Sequence, residues 1–411
     1  MDKKAKFNAS ILIIGNQILS GRTEDTNTST LATWLNSIGV KVEEVRVIAD
    51  VESTIVETLN VLKSKYDYVF TTGGIGPTHD DITAETLYSY FNDEPIFDDD
   101  YWDLLVRRFE KRGFEVSKLN RSQALKPLRG ELINNPIGTA RGLLFKKEKK
   151  DVFVLPGVPR EMQSMMEESV FPLIKKRSKG KIFSCTLRTT GIPESSLYDK
   201  LIQTINNNQE AELAFLPSYL GVDIRISSYK EDVYNIFFNE IKNHVHEFIY
   251  TDEDIELEHV VVKLLNDKKL SISTAESCTG GLIGDRLTNV PGASQALRGG
   301  IIAYSNEVKT DQLSVNEKTI EKFGAVSEQT AAEMAIGVKK LFSTDVGVST
   351  TGIAGPSGGT KEKPVGLVYC GISINDKTLT FKNNFKSDRK TNKMITSQVV
   401  LNIIRKELTK I

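Results

Sequence analysis

The chain has 411 residues and a formal net charge of -1 at pH 7, from 53 basic and 54 acidic side chains. This length exceeds what one ordinary hydrophobic core supports, so two or three domains are expected. The near-neutral charge disfavours a nucleic-acid-binding chain or a polybasic membrane-surface protein, and no direct nucleic-acid partner is expected.

Cysteine usage and hydropathy indicate a cytoplasmic protein. The three cysteines, Cys185, Cys278 and Cys370, are odd in number, far apart and include no C-x-x-C pair. This pattern disfavours a disulfide framework or a zinc site and favours a reducing compartment. The first ten residues, MDKKAKFNAS, lack the apolar run of a signal peptide, and no stretch has the apolar length of a membrane span. We therefore expect a cytoplasmic location and no membrane partner.

The first block of the chain, residues 1–175, alternates buried strands with amphipathic helices. Strands alternating with helices are typical of a parallel sheet covered on both faces. The block is therefore expected to be a three-layer α/β domain. Its predicted elements are strands over 9–14, 40–48, 66–70 and 152–155, and helices over 25–37, 51–62 and 160–174.

The rest of the chain predicts a small module and a second α/β domain. A polar, basic run from Lys175 to Lys181 precedes residues 181–250, whose pattern predicts a small α+β, KH-like module with a spacer or dimerisation role. An acidic linker, Tyr250 to Asp254, leads to residues 255–411, where strands and helices alternate again. The expected fold class is α/β, with two three-layer α/β domains joined by a small α+β module.

The most reactive stretch follows the first predicted strand of the last block. Ser277 lies there in the run TAESCTGG, before a helix start whose N–H groups are suited to hold an anion. All four histidines lie at or before His259, so none follows Ser277, and a Ser–His–Asp triad is not expected here. A lysine kept neutral by burial is the usual alternative base, and Lys309 follows the next predicted strand together with Tyr304.

Each of these residues also has a purely structural interpretation. An isolated serine such as Ser277 is typical of a helix N-cap, and Cys278 is typical of a small buried hydrophobe. Lys309 alone is typical of a solvated surface charge. The glycine-rich runs at 279–281 and 351–356 are also compatible with simple tight turns. Taken singly, the residues leave both interpretations open.

Five segments of the last block, taken together, resemble the CinA C-terminal domain in order and over nearly its whole length. They are TAESCTGG (274–281), AYSNEVK (303–309), GAVS (324–327), TGIAGP (351–356) and KPVG (363–366). The resemblance implies a nicotinamide mononucleotide amidohydrolase of pyridine nucleotide recycling, which releases nicotinate mononucleotide and ammonia without a cofactor. It implies Ser277 as nucleophile, Lys309 as base and Tyr304 as an assisting residue. The substrate-binding residues that it implies are Thr279, Gly280, Gly281, Gly352, Gly355 and Arg389.

Two positions depart from the family pattern near the expected phosphate site. Ser387 replaces the glycine of the family's G-D-R, which ends at Arg389, and Lys393 replaces the arginine usual four residues later. A lysine keeps the positive charge but loses the bidentate geometry of a guanidinium on phosphate. These changes bear on the affinity for the substrate and leave the nucleophile unaffected.

A second glycine-rich stretch, TTGGIGPTHDDIT (71–83), follows the predicted strand over 66–70. Glycines in such a turn let the backbone approach a phosphate or pyrophosphate. Two acids at the next helix start are able to hold Mg²⁺ or a similar ion, although they also favour the helix dipole. The candidate residues are Gly73, Gly74 and Gly76 for a nucleotide, and Asp80 and Asp81 for a divalent metal.

This stretch resembles the motif of the molybdopterin-binding-like domain at the N-terminus of full-length CinA proteins. The family's later asparagine looks like Asn27 here. Some members hydrolyse the pyrophosphate of ADP-ribose with a divalent metal, assisted by potassium. Where the family usually has an acid, however, this chain has Gln17, and an amide does not replace the charge of a carboxylate at a metal.

Three functional hypotheses follow, all with small-molecule nucleotide ligands. The first is the amidohydrolase, with an N-terminal nucleotide-binding or pyrophosphatase domain. The second makes ADP-ribose pyrophosphatase the main activity. The third is a non-enzymatic pterin- or nucleotide-binding protein associated with competence. The family resemblance also makes a homodimer the expected assembly.

Overall fold

The computed structural model describes residues 7–177 and 182–411. Two compact units divide the chain, Met1–Phe183 and Ser184–Ile411. Residues 178–181 of the predicted basic boundary lie outside the described residues. No helix among the described residues has both the length and the apolar composition that crossing a membrane requires.

The first unit is built on a six-stranded mixed sheet. The described strands of the unit, two of which lie outside this sheet, are β1 (Phe7–Ile14), β2 (Val40–Ile48), β3 (Tyr68–Thr72), β4 (Ile96–Phe97), β5 (Leu125–Lys126), β6 (Glu131–Ile133), β7 (Gly142–Lys147) and β8 (Lys150–Leu155). The large sheet has the order β2-β1-β3-β8-β7-β6, and β4 pairs with β5 separately. The first four strands in that order are parallel, and β7 and β6 are antiparallel additions.

Helices cover both faces of this sheet. They are α1 (Asn16–Leu19), α2 (Asn27–Ser37), α3 (Glu52–Lys65), α4 (Thr83–Phe91), α5 (Asp99–Glu110), α6 (Pro159–Met165) and α7 (Phe171–Arg177), with a 3₁₀ segment (Lys118–Ala124) and a π turn (Met166–Val170). Alternate residues of β1 enter two separate cores. Ile11 packs with Leu31 of α2 and Met162 of α6, whereas Leu12 packs with Leu59 of α3. Burial on both faces explains why β1 reads as a continuous apolar run.

The carboxyl ends of β1 and β3 meet where the strand order reverses, since β2 lies on one side of β1 and β3 on the other. Open α/β sheets bind ligands at such a point. The two backbones approach closely there: a Cβ on Gly73 would lie 2.0 Å from the carbonyl oxygen of Ile14. Gly73 also has a φ of +108°. Its absent side chain is thus a requirement of the fold, independent of any ligand.

We predict that Gly73→Ala destabilises the first unit by at least about 3 kcal/mol, because it combines a left-handed φ with a clash against backbone. Gly21→Ala is the matched control: Gly21 has a φ of +70°, but no atom lies within 4 Å of the position that an added Cβ would take. It should cost only about 1 kcal/mol. Urea unfolding of the full chain measures both changes, and equal losses in the two variants would contradict the steric argument.

The second unit begins with the small α+β module. Its elements are β9 (Phe183–Thr189), α8 (Glu194–Asn207), β10 (Glu212–Pro217), β11 (Val222–Ser228), α9 (Glu231–Val245) and β12 (Ile249–Thr251). The sheet has the order β10-β11-β9-β12. The predicted acidic linker is therefore partly wrong, because Tyr250 and Thr251 belong to an edge strand antiparallel to β9. Ile249 and Tyr250 pack against hydrophobic cores of the unit. This packing places them in a strand, although the residues that follow Thr251 are acidic.

The last domain of the second unit has a five-stranded sheet. Its strands are β13 (Ile272–Glu276), β14 (Leu297–Ile302), β15 (Val346–Gly352), β16 (Leu367–Ile374) and β17 (Lys377–Asn384). Its helices are α10 (Leu257–Asp267), α11 (Leu282–Thr288), α12 (Asn306–Leu313), α13 (Glu317–Phe323), α14 (Glu328–Phe342) and α15 (Arg389–Thr409), with a 3₁₀ turn (Ala293–Gln295). The order is β14-β13-β15-β16-β17, with β13 parallel to β14 and β15 and a closing antiparallel hairpin.

Two cores flank this second sheet. Ile272 of β13 packs with Val261 of α10 and Leu401 of α15 on one face, whereas Ala275 packs with Met334 of α14 on the other. Helices on both faces again make three layers. The predicted fold class, two three-layer α/β domains with a small α+β module, is confirmed.

Candidate functional site

The candidate site of the second unit lies at the carboxyl ends of β13, β14 and β15. Here, too, the strand order reverses around the first strand of the sheet, β13, so the loops after three neighbouring strands converge. They enclose a cavity of about 250 Å³. Its lining includes six of the predicted site residues, namely Ser277, Tyr304, Lys309, Gly352, Gly355 and Arg389.

The central contact of this cavity joins Ser277 to Lys309. Ser277 follows β13 directly, and Lys309 projects from the first turns of α12, which follows β14. The Nζ of Lys309 lies 3.2 Å from the Oγ of Ser277. Both side chains are buried, with Lys309 only 2% and Ser277 8% exposed. Lys309, which taken alone is typical of a solvated surface charge, is therefore directed inward from α12, next to the hydroxyl of Ser277.

Three backbone carbonyls hold the amine of Lys309 in place. Its Nζ donates to the oxygens of Ala303 at 2.8 Å, Tyr304 at 3.3 Å and Ser305 at 3.3 Å. Burial lowers the pKa of Lys309 below its ordinary value of 10.5, against weaker opposing effects of Cys278 and Glu307. A neutral amine has two N–H bonds, which these three carbonyls share, and one lone pair. The arrangement can therefore direct that lone pair at Ser277.

Cys278, the neighbouring thiol, is unsuited to act as the nucleophile. Burial raises the pKa of its thiol to about 12. A nucleophilic cysteine needs a lowered pKa, since the thiolate is the reactive form. The choice between the two adjacent residues therefore favours the hydroxyl beside the lysine.

Tyr304 and Arg389 form a bridge across the mouth of the cavity. Arg389 donates through Nη2 to the hydroxyl of Tyr304 at 2.9 Å and through Nη1 to the carbonyl of Gly355 at 2.8 Å. The side chain of Tyr304 is 63% exposed. Its backbone carbonyl, rather than its hydroxyl, contacts the amine of Lys309. The phenol is thus placed at the entrance, beside the guanidinium of Arg389.

The other predicted binding residues have structural roles in the turn after β13. Thr279 is buried, and a hydrogen bond of 2.7 Å joins its hydroxyl to that of Thr350. Gly280 and Gly281 have φ values of +61° and +92°, which suit glycine. These three residues do not line the cavity that contains Ser277. Gly280 faces another cation, because a Cβ there would lie 3.5 Å from the Nζ of Lys393.

Glu276, the last residue of β13, is a buried acid that the sequence interpretation missed. Its carboxylate accepts from the N–H of Ile283 at 3.0 Å and of Gly284 at 2.8 Å. The expectation that these helix N–H groups hold an external anion is therefore wrong, because the chain's own carboxylate occupies them. Glu276 ties α11 to β13 on either side of the turn that carries Ser277. The sequence signal that could have identified Glu276 is an acid in a strand whose other residues are apolar or small and buried on both faces of the sheet.

The candidate site of the first unit is a cavity of about 390 Å³ at the ends of β1 and β3, lined by Asn27 and by the glycines at 73, 74 and 76. Asn27 is buried, and its Nδ2 donates to the Oγ1 of Thr72 at 2.8 Å and the carbonyl of Gly157 at 2.9 Å. Its Oδ1 has no partner among the described residues. This oxygen is a buried acceptor without a described partner, on a residue that lines the cavity.

The two predicted metal ligands have separate partners in the loop. The Oδ2 of Asp81 accepts from the N–H of Thr78 at 2.9 Å and its hydroxyl at 2.6 Å, whereas Asp80 pairs with exposed His79 at 3.0 Å. Within the described part of the chain, no three His, Cys, Asp or Glu residues are grouped so as to hold a metal. With Gln17 in the cavity wall in place of an acid, these residues do not fit a divalent metal site as they stand.

The first cavity is strongly acidic. Its described lining contains no lysine, arginine or histidine. A phosphate there would face uncompensated negative charge, unless cations accompanied it. The acids that line the cavity are Glu24, Asp25, Asp50, Asp80, Asp81 and Glu161.

The fold and the serine–lysine site describe a multidomain α/β protein, and the comparisons identify its family. Three family models match consecutive parts: the probable molybdopterin binding domain over residues 10–176, the damage-inducible protein CinA KH domain over 184–251 and the CinA C-terminal domain over 254–408. The chain belongs to the CinA family of competence-damage inducible proteins.

Relatives match this chain over nearly its whole length. A protein of Clostridioides difficile, provisionally named as competence-damage inducible, is 40% identical over 416 residues, which cover 98% of this chain and 100% of the relative. One of Halothermothrix orenii is 41% identical over 397 residues, covering 95% and 96%. The crystal structure of competence/damage inducible protein CihA from Agrobacterium tumefaciens is 37% identical, covers 37% of this chain and 93% of that chain, and superposes with a TM-score of 0.36. These names describe induction and assign no reaction.

We predict that Glu276→Ala lowers the free energy of unfolding of the second unit by about 2 to 4 kcal/mol, because two buried N–H groups lose their acceptor. Glu276→Gln keeps one acceptor oxygen and should lose about half as much. Denaturant titration of the full chain measures both. Glu321→Ala, at an exposed glutamate of α13, is the control and should change stability by less than about 0.5 kcal/mol. A Glu276→Ala protein as stable as this control would contradict the bridging role.

Proposed function

We propose that the second unit hydrolyses the carboxamide of nicotinamide mononucleotide, giving nicotinate mononucleotide and ammonia. The observation that carries the proposal is the buried contact of 3.2 Å between Ser277 and Lys309, in a cavity whose described lining contains no histidine. The amide bond calls for an activated nucleophile, and a hydroxyl beside a buried amine supplies one. All three cysteines are free, which supports our placing the reaction in the cytoplasm.

The first half of the proposed reaction is acylation of Ser277. Its Oγ attacks the carboxamide carbon while its proton passes to the lone pair of Lys309. The amine becomes an ammonium, whose third N–H points at the Oγ that it has just deprotonated. The three carbonyls around Nζ stabilise this cation as it forms.

Collapse of the tetrahedral intermediate completes acylation and prepares hydrolysis. The N–H of Ser277 already donates to the carbonyl of Thr350 at 2.9 Å, so the next N–H, that of Cys278 in the cavity lining, is the donor that we propose for the oxyanion. Lys309 returns its proton to the departing nitrogen, which leaves as ammonia. The neutral amine then activates a water, which cleaves the acyl ester and frees nicotinate mononucleotide. No step needs a metal or an organic cofactor.

The ribose and phosphate of the substrate must extend beyond the reaction cavity. At about 250 Å³, that cavity is smaller than typical small-molecule sites, which span about 300 to 1,000 Å³. The exit leads past Arg389 at the mouth to Lys393 above Gly280. We propose that these two cations, one helical turn apart on α15, hold the phosphate. Arg389 would exchange its bond with Tyr304 for the phosphate and leave the phenol free to assist.

For the first unit we propose ligand binding without hydrolysis. Asn27 offers an unpartnered acceptor, and the acidic wall favours a donor-rich heterocycle over a bare pyrophosphate. This supports a pterin-type or nucleobase ligand more than the ADP-ribose pyrophosphatase alternative. The described donors do not form the divalent site which that second activity requires.

We predict that purified protein releases ammonia from nicotinamide mononucleotide. Ser277→Ala should lower kcat by about 10³-fold or more, because it removes the nucleophile. Lys309→Ala should lower it by about 10² to 10⁴-fold through loss of the base. Cys278→Ala, at the adjacent buried thiol, is the matched control and should keep most of the activity. An enzyme-coupled ammonia assay measures all four proteins, and full activity of Ser277→Ala would end the nucleophile assignment.

The pH dependence should follow the amine. Since burial lowers the pKa of Lys309 and the neutral form is active, kcat/KM should rise with pH through that lowered pKa and then level off. The rising limb should therefore lie below the ordinary lysine value of 10.5. A series of kcat/KM measurements against pH tests this, with folding checked by circular dichroism at each pH. A rate that falls as pH rises through this range would contradict a lysine base.

A further inference from the structure

A larger cavity adjoins the reaction cavity in the second unit. We call it the distal cavity; its volume is about 1130 Å³. It shares Ala354 and Arg389 with the reaction cavity, so the two meet at the guanidinium that bridges Tyr304 and Gly355. It lies between the first turns of α15, the start of α11 and the β10–β11 loop of the small module, which contributes Leu220. Its size exceeds what the ribose phosphate of a mononucleotide needs.

The distal cavity has more positive charge than one phosphate requires. Arg389, Lys390 and Lys393 line it, and none of them forms an ion pair with an acid among the described residues. The nearby carboxylates are already engaged. Asp388 caps α15 by accepting from the N–H of Lys390 and Thr391, and Glu258 pairs with Arg286 at 2.6 Å. Glu256, the third acid of the lining, pairs with Arg188. Three cations on the first turns of one helix, with only the capping carboxylate of Asp388 beside them unpaired, suit a pyrophosphate.

Six apolar side chains also line the distal cavity. Side chains from four separate segments contribute, and a half-buried methionine provides an adaptable surface for a flat ring. A nucleotide fits such a lining, because its anionic group meets the cations at the entrance and its flat ring meets the apolar side chains beyond them. The apolar side chains of the lining are those of Leu220, Leu282, Ala354, Pro356, Val365 and Met394.

We propose that the distal cavity binds the second nucleotide half of a pyridine dinucleotide, whose nicotinamide half occupies the reaction cavity. This inference rests on the proposed amidohydrolase function and extends it. The pyrophosphate lies along Arg389, Lys390 and Lys393, and the second nucleoside packs on the apolar lining near Leu220 and Met394. A dinucleotide therefore competes with nicotinamide mononucleotide for the same site.

The test is competition kinetics on the full chain with NAD⁺ as the probe. NAD⁺ should raise the apparent KM for nicotinamide mononucleotide and leave the kcat of nicotinate mononucleotide formation unchanged. This product, unlike ammonia, does not come from the carboxamide of NAD⁺ itself. Calorimetric titration of NAD⁺ into the protein measures the same binding without turnover. If nicotinamide mononucleotide releases no ammonia, the proposed function fails while the calorimetry still tests the cavity. If ammonia is released but NAD⁺ does not compete, this inference alone is overturned.

Two cavity-filling variants locate the second nucleotide. Leu220→Trp fills the cavity from the small module, and Met394→Trp fills it from α15, so one serves if the other does not fold. Each should raise the inhibition constant of NAD⁺ by about tenfold or more, the effect of a steric change in a binding pocket, with the KM for the mononucleotide nearly unchanged. Tyr219→Trp, at a neighbouring exposed residue outside the lining, is the matched control. Inhibition that is non-competitive, or that survives both fillings, would overturn the assignment.

Discussion

The buried amine of Lys309 beside the hydroxyl of Ser277 is the contact on which the functional account depends. An amine that is 2% exposed must be neutral or fully hydrogen-bonded, and three carbonyls of the turn after β14 satisfy it. Those carbonyls are in place because β14 pairs with β13 in parallel register, which brings the ends of both strands together. The chemistry thus follows from the strand order of the sheet.

Both units place their cavities at the same topological point, yet the two cavities differ in chemistry. In each sheet the chain places its second strand on one side of the first strand and its third on the other, and loops converge between the first and third strands. The second unit presents a nucleophile, a buried base and cations there. The first presents an unpartnered amide oxygen among acids. Fold alone therefore does not set the function of either unit.

Much of this was predictable from the sequence, because the relevant signals are local. Apolar runs predicted β1, β13 and β15 within a few residues, and the histidine count directed attention to Lys309. The pairing of Ser277 with a lysine 32 residues away depended on expecting that the ends of parallel strands meet. The predicted helix over 160–174 is one helical segment, but its π turn (Met166–Val170) has no recognisable sequence signal.

Other features could not be predicted, because they depend on side chains from distant segments. The carboxylate of Glu276 accepts from two N–H groups at the start of α11, so these groups are not available to an external anion. Arg389 lies 85 residues from Tyr304 in the chain and bridges it to Gly355. Tyr250 joins an edge strand although acids surround it in the sequence. In each case a long-range contact, rather than a local preference, decides the structure.

The most direct test of the serine–lysine account is partitioning of the acyl intermediate. If Ser277 forms an ester with the nicotinate group, added hydroxylamine should divert turnover from nicotinate mononucleotide to its hydroxamate while ammonia release continues. Mass spectrometry of the products measures the ratio. The account predicts hydroxamate from both the wild-type protein and Cys278→Ala, in proportion to hydroxylamine. Ammonia release without any hydroxamate, or hydroxamate that disappears in Cys278→Ala, would contradict it.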